Sequence, residues 1–165
     1  MNQHVTHTLK PIYNEDSKIL ILGTMPSPKS REYGFYYSHP QNRFWKVIAE
    51  ILGEKIPLTN EDKEDILLRH HIALWDVLKS CTIKGADDNS IKEPIVNDIN
   101  LILKNADIKA VFTTGTKATD LYKRLCFKQT GVASIRLSST SPANCRNCSL
   151  ESLIEEYKVI LNYIK

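Results

Sequence analysis

The chain has 165 residues, of which 42% are hydrophobic and 25% charged, with a formal net charge of +3. This length supports one domain, 1–165, with a real core, but not two independent ones. The composition is ordinary for a globular chain, no apolar run approaches bilayer-crossing length, and so mild a positive excess does not by itself call for nucleic acid.

In chain order, Met1 to Lys10 are polar, with neither the apolar core of a secretory signal nor the arginine pattern of a transit peptide, so a cytoplasmic location is expected. Ile19 to Leu22 reads as the first strand. Arg43 to Leu52 reads as a helix ending at Gly53, with Phe44, Val47, Ile48 and Ile51 on one side. Glu61 to Arg69 is predicted as a further helix and Ile72 to Leu78 as a second strand. Ser80 to Ser90 reads as a polar loop, and Ile91 to Asn105 regains helical spacing through Ile95, Ile99, Ile102 and Leu103. Ala110 to Phe112 begins a third strand that turns at Gly115, Lys117 to Leu125 returns as a helix, and Ala133 to Leu137 supplies a fourth strand. Leu150, Leu153, Ile154, Tyr157, Leu161 and Ile164 give the closing helix an apolar stripe. Strands alternating with helices predict an α/β/α sandwich around a short, mostly parallel sheet.

Cys145 and Cys148 have the Cys-x-x-Cys spacing of zinc and iron-sulfur sites, but the remaining cysteines, Cys81 and Cys126, are lone and distant. Free, reduced thiols and no metal are expected.

Ligands of an open parallel sheet occupy the crevice outside the carboxyl ends of its strands, here the turns after Leu22, Leu78, Thr114 and Leu137. The first, Gly23-Thr24-Met25-Pro26-Ser27-Pro28-Lys29-Ser30, can present backbone N–H groups and hydroxyls, but lacks the glycine spacing of a dinucleotide fingerprint and the ending of a triphosphate loop. A plain strand-to-loop turn is the alternative. A few residues on, Tyr36 and Tyr37 precede a His39-Pro40 break, and Arg43, Phe44 and Trp45 open the next helix around Asn42. Rings, a carboxamide and cations delivered to one end of the fold suit a flat, polar-edged ligand carried on a polyanion.

His39-Pro40-Gln41-Asn42-Arg43-Phe44-Trp45-Lys46-Val47-Ile48 is similar to the corresponding segment of mismatch-specific uracil-DNA glycosylases. Gly23 to Ser27 with the paired tyrosines resembles the hypoxanthine-DNA glycosylase branch of the same uracil-DNA glycosylase superfamily. Leu137-Ser138-Ser139-Thr140-Ser141-Pro142-Ala143-Asn144 resembles that branch's minor-groove insertion loop, and the likeness spans roughly residues 18 to 164.

The resemblance implies that Tyr37 stacks on an extruded base while Gly23, Thr24, Met25, Pro26 and Ser27 line its pocket; a partly buried core tyrosine is the alternative for Tyr37. Met25 stands where the mismatch-specific branch has Asn and cannot orient water, so the catalytic group implied is Asn42, for which capping the helix at Arg43 is a second, compatible role. In the second motif Ser139, Thr140 and Ser141 are expected to contact phosphates, and Pro142, Ala143 and Asn144 to fill the gap left in the duplex. Ser138 replaces the family's usual Pro, which loosens the turn, and Leu137 replaces the His of the uracil-specific branch. Lys29, Arg31, Arg43, Lys84 and Arg146 are candidate phosphate contacts or solvated surface charges. Asp87, Asp88, Asn89 and Ser90 either read a base edge or form a simple turn.

The function implied is a monofunctional glycosylase acting on double-stranded DNA with a deaminated base, deoxyinosine first and deoxyuridine opposite guanine second, as a monomer without metal or organic cofactor. Lyase chemistry is not expected, because Lys29 is the one lysine within the two motifs. Two rivals stand beside it: a nucleic-acid-binding module of the same fold without turnover, and a small α/β hydrolase built on His39, which would lack a G-x-S-x-G elbow.

Overall fold

Ile19–Gly23, Ile72–Asp76 and Ala110–Thr114 are buried at every position. Successive strand residues point to opposite faces, so continuous burial requires a sheet covered on both sides. The computed structural model, which describes residues 2–144, 146 and 148–165, builds such a sheet from them. In chain order the elements are β1 (Gln3–Thr6), β2 (Ile19–Gly23), α1 (Pro28–Tyr33), α2 (Phe44–Leu52), α3 (Asn60–Arg69), β3 (Ile72–Asp76), β4 (Leu78–Lys84) and β5 (Asp87–Val96). They continue with α4 (Asn100–Asn105), β6 (Ala110–Thr114), α5 (Thr116–Leu125), α6 (Phe127–Thr130), β7 (Ser134–Leu137) and α7 (Leu150–Tyr157), which runs into a 3-10 turn over Lys158–Asn162.

The parallel sheet has the order β3-β2-β6-β7, with Ile19 opposite both Ile72 and Ala110 and Thr114 opposite Leu137. From β2 the chain steps outward to β3, and from β6 outward the other way to β7. Right-handed crossovers therefore put the connecting helices on opposite faces, and the order reverses between β2 and β6, where a crevice opens at their carboxyl ends. Helices α2 and α7 pack on each other, while α5 lies on β6 and β7. The expected strands near Ile19, Ala110 and Ala133 and the helices near Arg43, Glu61 and Lys117 are present, within a residue or two at most ends.

Two expectations fail together. Ser80 to Ser90 is not a loop and Ile91 to Asn105 is not one helix: residues from Leu78 to Val96 form the β4–β5 hairpin, and only Asn100–Asn105 is helical. The four-residue isoleucine spacing imitates a helix, but Pro94 would remove a donor from its interior. The hairpin accommodates that proline because β5 is an edge strand and because Cys81 of β4 faces two residues, Glu93 and Pro94, between the pairs Thr82↔Lys92 and Ser80↔Ile95. The predicted strand Ile72 to Leu78 likewise ends at Asp76: Val77 makes the bend, and Leu78 is the first residue of β4 in the second sheet. Strand β1, too polar to be read from its sequence, completes a three-stranded antiparallel sheet by pairing Gln3 with Ile83 and Val5 with Cys81.

Among the described residues no helix is long and apolar enough to cross a membrane. Cys81, Cys126 and Cys148 are free thiols; Cys145 lies outside the described residues, so the Cys-x-x-Cys pair has no structural description here.

Candidate active site

A cavity of about 310 Å³ opens where the strand order reverses, bounded by the turn after β2, the segment before α2, the end of β6 and the loop after β7. It lies near the lower end of the roughly 300–1,000 Å³ range of small-molecule sites. Gly23, Thr24, Met25, Pro26 and Ser27 all line it, as do Tyr37 and Asn42. So do Ser139, Thr140, Ser141, Pro142 and Ala143, whereas Asn144 and Arg146 do not.

Gly23 ends β2 at the cavity's inner wall. A Cβ there would come within 2.5 Å of Asp76 Oδ1 and 2.8 Å of the Tyr37 hydroxyl, so the wall closes only around a residue without a side chain. The turn is then stitched locally. The Ser27 hydroxyl accepts from Ser30 N–H at 3.2 Å to cap α1, Pro28 occupies the start of the helix, and Arg31 Nη1 donates to the Pro26 carbonyl at 2.9 Å.

Of the aromatic run, Phe35, Tyr36, Phe44 and Trp45 are core. Trp45 Nε1 donates to the Tyr36 carbonyl at 3.0 Å, and the Tyr36 hydroxyl to the Lys10 carbonyl at 2.7 Å. Tyr37 alone is turned differently, with a backbone φ of 54° that a non-glycine residue adopts only under tertiary constraint. Its ring stacks on Phe44 at 4.0 Å and 15°, and its hydroxyl bonds Thr114 Oγ1 at 3.2 Å. Thr114 in turn donates to the Leu22 carbonyl at 3.4 Å, so the phenol is the donor in the first bond. Burial pushes the phenol well above its ordinary pKa, the charge of Asp76 adds to this, and the ring stays neutral.

Asn42 sits just before α2 with both lone pairs of Oδ1 engaged. It accepts from Phe44 N–H at 2.9 Å, which caps the helix, and from Thr140 Oγ1 at 2.8 Å. An amide N–H can be met only by the oxygen, so the orientation of the carboxamide is decided and Nδ2 is the group left to act in the cavity. Asn42 can therefore donate a hydrogen bond there, and is poorly placed to accept one from water.

The loop after β7 is held from several sides. Gly115, at a φ of 90°, donates to the Leu137 carbonyl at 2.7 Å and lets Ser139 approach to 3.3 Å of where its Cβ would be. Ser138 makes the turn firmer than the loss of proline suggests: its N–H, which proline lacks, donates to Glu156 Oε2 at 2.9 Å, and its carbonyl accepts from the Tyr157 hydroxyl at 2.7 Å. Thr140 is 1% exposed and spends its hydroxyl on Asn42, unlike the outward phosphate contact expected of it. Ser139 and Ser141 accept from local backbone donors, their hydroxyl protons have no acceptor among the described residues, and Asn144 Nδ2 braces the loop on the Ser139 carbonyl at 2.9 Å. Among the candidate phosphate contacts, Arg43 is consumed internally by the carbonyls of Cys148 and Ser141, Arg31 by Pro26, and Lys29 pairs with Glu32. Lys84 and Arg146 are exposed.

The lining residues Asp76, Thr114, Gly85 and Ala86 were missed in the sequence, whereas Asp88 was among the candidates for reading a base edge. Asp76 ends β3 inside the cavity, 3% exposed, with Oδ2 bonded to His7 Nε2 at 2.9 Å. Thr114 lines the wall beside Tyr37. Gly85, Ala86 and Asp88, at the hairpin tip, border the mouth. Asp88 is exposed as a residue, but its carboxyl loses water at the mouth and is pushed up to about 6, opposed by Lys117 and reinforced by Asp87 and Asp76. One signal was legible: a lone carboxylate closing the otherwise apolar run Ile72-Ala73-Leu74-Trp75 at a strand's carboxyl end. Nothing near His7 announced its partner.

Comparison with known proteins agrees with this arrangement. The family model described as "Uracil DNA glycosylase superfamily" matches residues 10–162. The chain is 33% identical over 139 residues to a hypoxanthine DNA glycosylase of Methanosarcina barkeri, covering 83% of this chain and 87% of the relative. It is 31% identical over 137 residues to one of Methanosarcina acetivorans, covering 82% and 85%. The solution structure of a candidate uracil DNA glycosylase from Methanosarcina acetivorans superposes with a TM-score of 0.79 at 27% identity, covering 98% of this chain and 99% of that one. With both motifs converging on one cavity in a matching fold, the chain belongs to the uracil DNA glycosylase superfamily.

Proposed function

We propose that the chain is a monofunctional DNA glycosylase that hydrolyses the N-glycosidic bond of a deaminated base in double-stranded DNA, deoxyinosine first and deoxyuridine opposite guanine second, in base excision repair. The observation that carries this reading is the meeting of Tyr37, Asn42 and the loop after β7 on a single cavity from three separate parts of the chain. The named relatives favour hypoxanthine over uracil as the first substrate.

In this mechanism the base leaves the helix and enters the cavity. Extrusion costs a few kcal/mol, less at a mispaired base, and stacking on the ring of Tyr37, whose other face is backed by Phe44, offsets part of that cost. Gly23 to Ser27 line the pocket, and Pro142, Ala143 and Asn144 occupy the gap in the stack. The hydroxyl protons of Ser139 and Ser141, with the exposed Arg146, serve the phosphates on either side. As the glycosidic bond lengthens, positive charge develops on the sugar and negative charge on the base. Asn42 Nδ2 donates to the departing base and stabilises that charge, and water adds late to the sugar. With Met25 in the cavity wall and both lone pairs of the Asn42 oxygen engaged, no residue of the first two motifs is cast as a base for water.

Incubating the purified chain with duplexes carrying one deoxyinosine or one deoxyuridine, and measuring the free base released, tests the proposal. Release of hypoxanthine at the higher rate is expected. Tight binding without release of either base would instead establish a binding module that has lost turnover.

A further inference from the structure

Hydrolysis needs a group that can hold water, and the cavity lining narrows the choice. Among the described residues that border it, three side chains could take up a proton near neutral pH: Asp76, His39 and Asp88. Asp76 stands at the deep end, where Oδ2 is held by His7 Nε2 at 2.9 Å and Oδ1 lies beside Gly23 and the Tyr37 hydroxyl. His39 Nδ1 accepts from the Gln41 N–H at 3.1 Å, so the neutral ring carries its proton on Nε2 and donates there. Asp88 is left. It comes from the tip of the β4–β5 hairpin, and its carboxylate has no hydrogen-bond donor among the described residues. Its aim is built into the hairpin: between the pairs Thr82↔Lys92 and Lys84↔Asp87, only Ile83 of β4 faces Asp88, Asn89, Ser90 and Ile91, an irregularity of the kind that redirects side chains beside active sites. The tip is also fixed, with the Asn89 N–H donating to Asp87 Oδ1 at 3.0 Å and the Lys84 N–H to Ser90 Oγ at 2.8 Å.

We propose that Asp88 is a catalytic residue of base release, its carboxylate holding the attacking water against C1′ of the extruded nucleotide and taking that water's proton; the proposal rests on the glycosylase reading above. The base goes to the deep end, where Tyr37 and the Gly23 wall are, and the phosphodiester chain stays outside. The sugar between them therefore falls at the mouth, beside Asp88. The C1′–N9 bond of deoxyinosine breaks with its electron pair passing to the base, and the base anion, hydrogen-bonded by Asn42 Nδ2, takes a proton from solvent. The water oxygen forms the new bond to C1′, and its proton passes to the carboxylate and from there to solvent. Before the water adds, the same negative charge faces the cationic sugar and stabilises it. A carboxylate at the mouth repels phosphates, so it opposes DNA binding while speeding release, the reverse of a residue that only holds DNA. Loss of water by burial pushes the carboxyl up to about 6; Lys117 of α5 opposes this, while Asp87 and Asp76 reinforce it. From β4 come Cys81, which the Asp88 charge also perturbs, and the exposed Lys84 opposite Asp87. Asp88 can thus accept a proton above about pH 6, and the phosphates of bound DNA raise that value further.

The test uses the full-length chain on a duplex with one deoxyinosine, at saturating enzyme and single turnover, from about pH 8 down to about pH 5. Wild-type release should fall about tenfold per pH unit below a midpoint at or above about 6. Asp88→Asn should release hypoxanthine about 100-fold more slowly at the upper end, near the lower bound for a lost general base, and should lack that acid limb. It should bind a duplex carrying the uncleavable 2′-fluoro-deoxyinosine at least as tightly as the wild type does. In Asp88→Ala, sodium formate should accelerate release relative to sodium chloride at equal ionic strength, because a small carboxylate can enter the gap; wild-type release should not respond. His39 also faces the cavity, so the assignment depends on the acid limb disappearing with Asp88 and not on the limb itself. Release by Asp88→Asn within about 3-fold of wild type would overturn the proposal, since a general base contributes far more. So would slower release that is matched by weaker binding, or that keeps the wild-type pH profile with no gain from formate in Asp88→Ala. Absence of hypoxanthine release by the wild type would instead bring down the glycosylase reading, and the proposal with it.

Discussion

Thr140 donates its hydroxyl to the carboxamide oxygen of Asn42 at 2.8 Å, across 98 positions of sequence. The neighbouring Arg43 N–H returns a bond to the Thr140 carbonyl at 3.1 Å, and the Arg43 side chain grips two further carbonyls of the same region. The two motifs are thus one mechanical unit, and the loop after β7 decides which way the Asn42 amide points. Thr140→Val, which removes the donor at nearly constant volume, should lower stability by about 0.5–1.5 kcal/mol and slow base release by about 10-fold. Urea unfolding and single-turnover release measure the two effects; release at the wild-type rate would disconnect the loop from the amide.

The capping and chemical roles of Asn42 can be separated by isosteric replacement. Asn42→Asp keeps an oxygen for the Phe44 N–H and the Thr140 hydroxyl but loses the donor, so stability should hold within about 0.5 kcal/mol while release falls roughly 100-fold or more. Asn42→Ala should lose both, with about 1 kcal/mol of stability gone with the cap. If the aspartate variant turned over like wild type, the amide N–H would have no place in the mechanism.

Gly23→Ala puts a methyl group where Asp76 Oδ1 and the Tyr37 hydroxyl now crowd the strand end at 2.5 and 2.8 Å. Both groups belong to the cavity wall, so the cost should appear in function as well as stability: about 1–3 kcal/mol of overpacking, with release reduced by more than 10-fold. Thermal unfolding alongside release rates checks this. A stable variant with normal release would mean the wall yields without consequence.

Away from the cavity, Glu54 accepts two bonds from Arg69, at 2.7 and 2.9 Å, and a third contact from His70. These lower its carboxyl from the ordinary 4.5 to about 2. A carboxyl lowered by folding contributes stability that is fully present above about pH 4.5 and is lost as pH falls toward about 2. Glu54→Gln should therefore flatten part of the acid limb of a stability-against-pH curve between those values while changing little in its slope near pH 7. Raised salt should shrink the difference, because the group is solvent-accessible. Superimposable wild-type and variant acid limbs at low salt would show that the pair does not couple folding to pH.

Much of this architecture is legible from local pattern. Ile19 to Leu22, Ala110 to Phe112 and the stripe from Phe44 to Ile51 could be assigned because burial on both faces, or on one, leaves its period in the residues themselves. The Gly23 turn, Tyr37 and Asn42 were equally visible as candidates, being unusual residue types at strand and helix ends. Where local pattern misled, a non-local partner had overruled it. Isoleucines spaced for a helix from Ile91 became an edge strand because β4 was there to pair with them and Pro94 could fall in a bulge. A polar N-terminus became β1 for the same reason. The site's electrostatics were further out of reach: Asp76 meets His7 across 69 positions and Asn42 meets Thr140 across 98, separations over which neighbouring residues say nothing of each other. Which atoms those partners leave free, an amide N–H at Asn42 and a carboxylate oxygen at Asp76, is a property of the assembled fold, since hydrogen bonds are short and directional and are allotted only once the chain has brought the groups together.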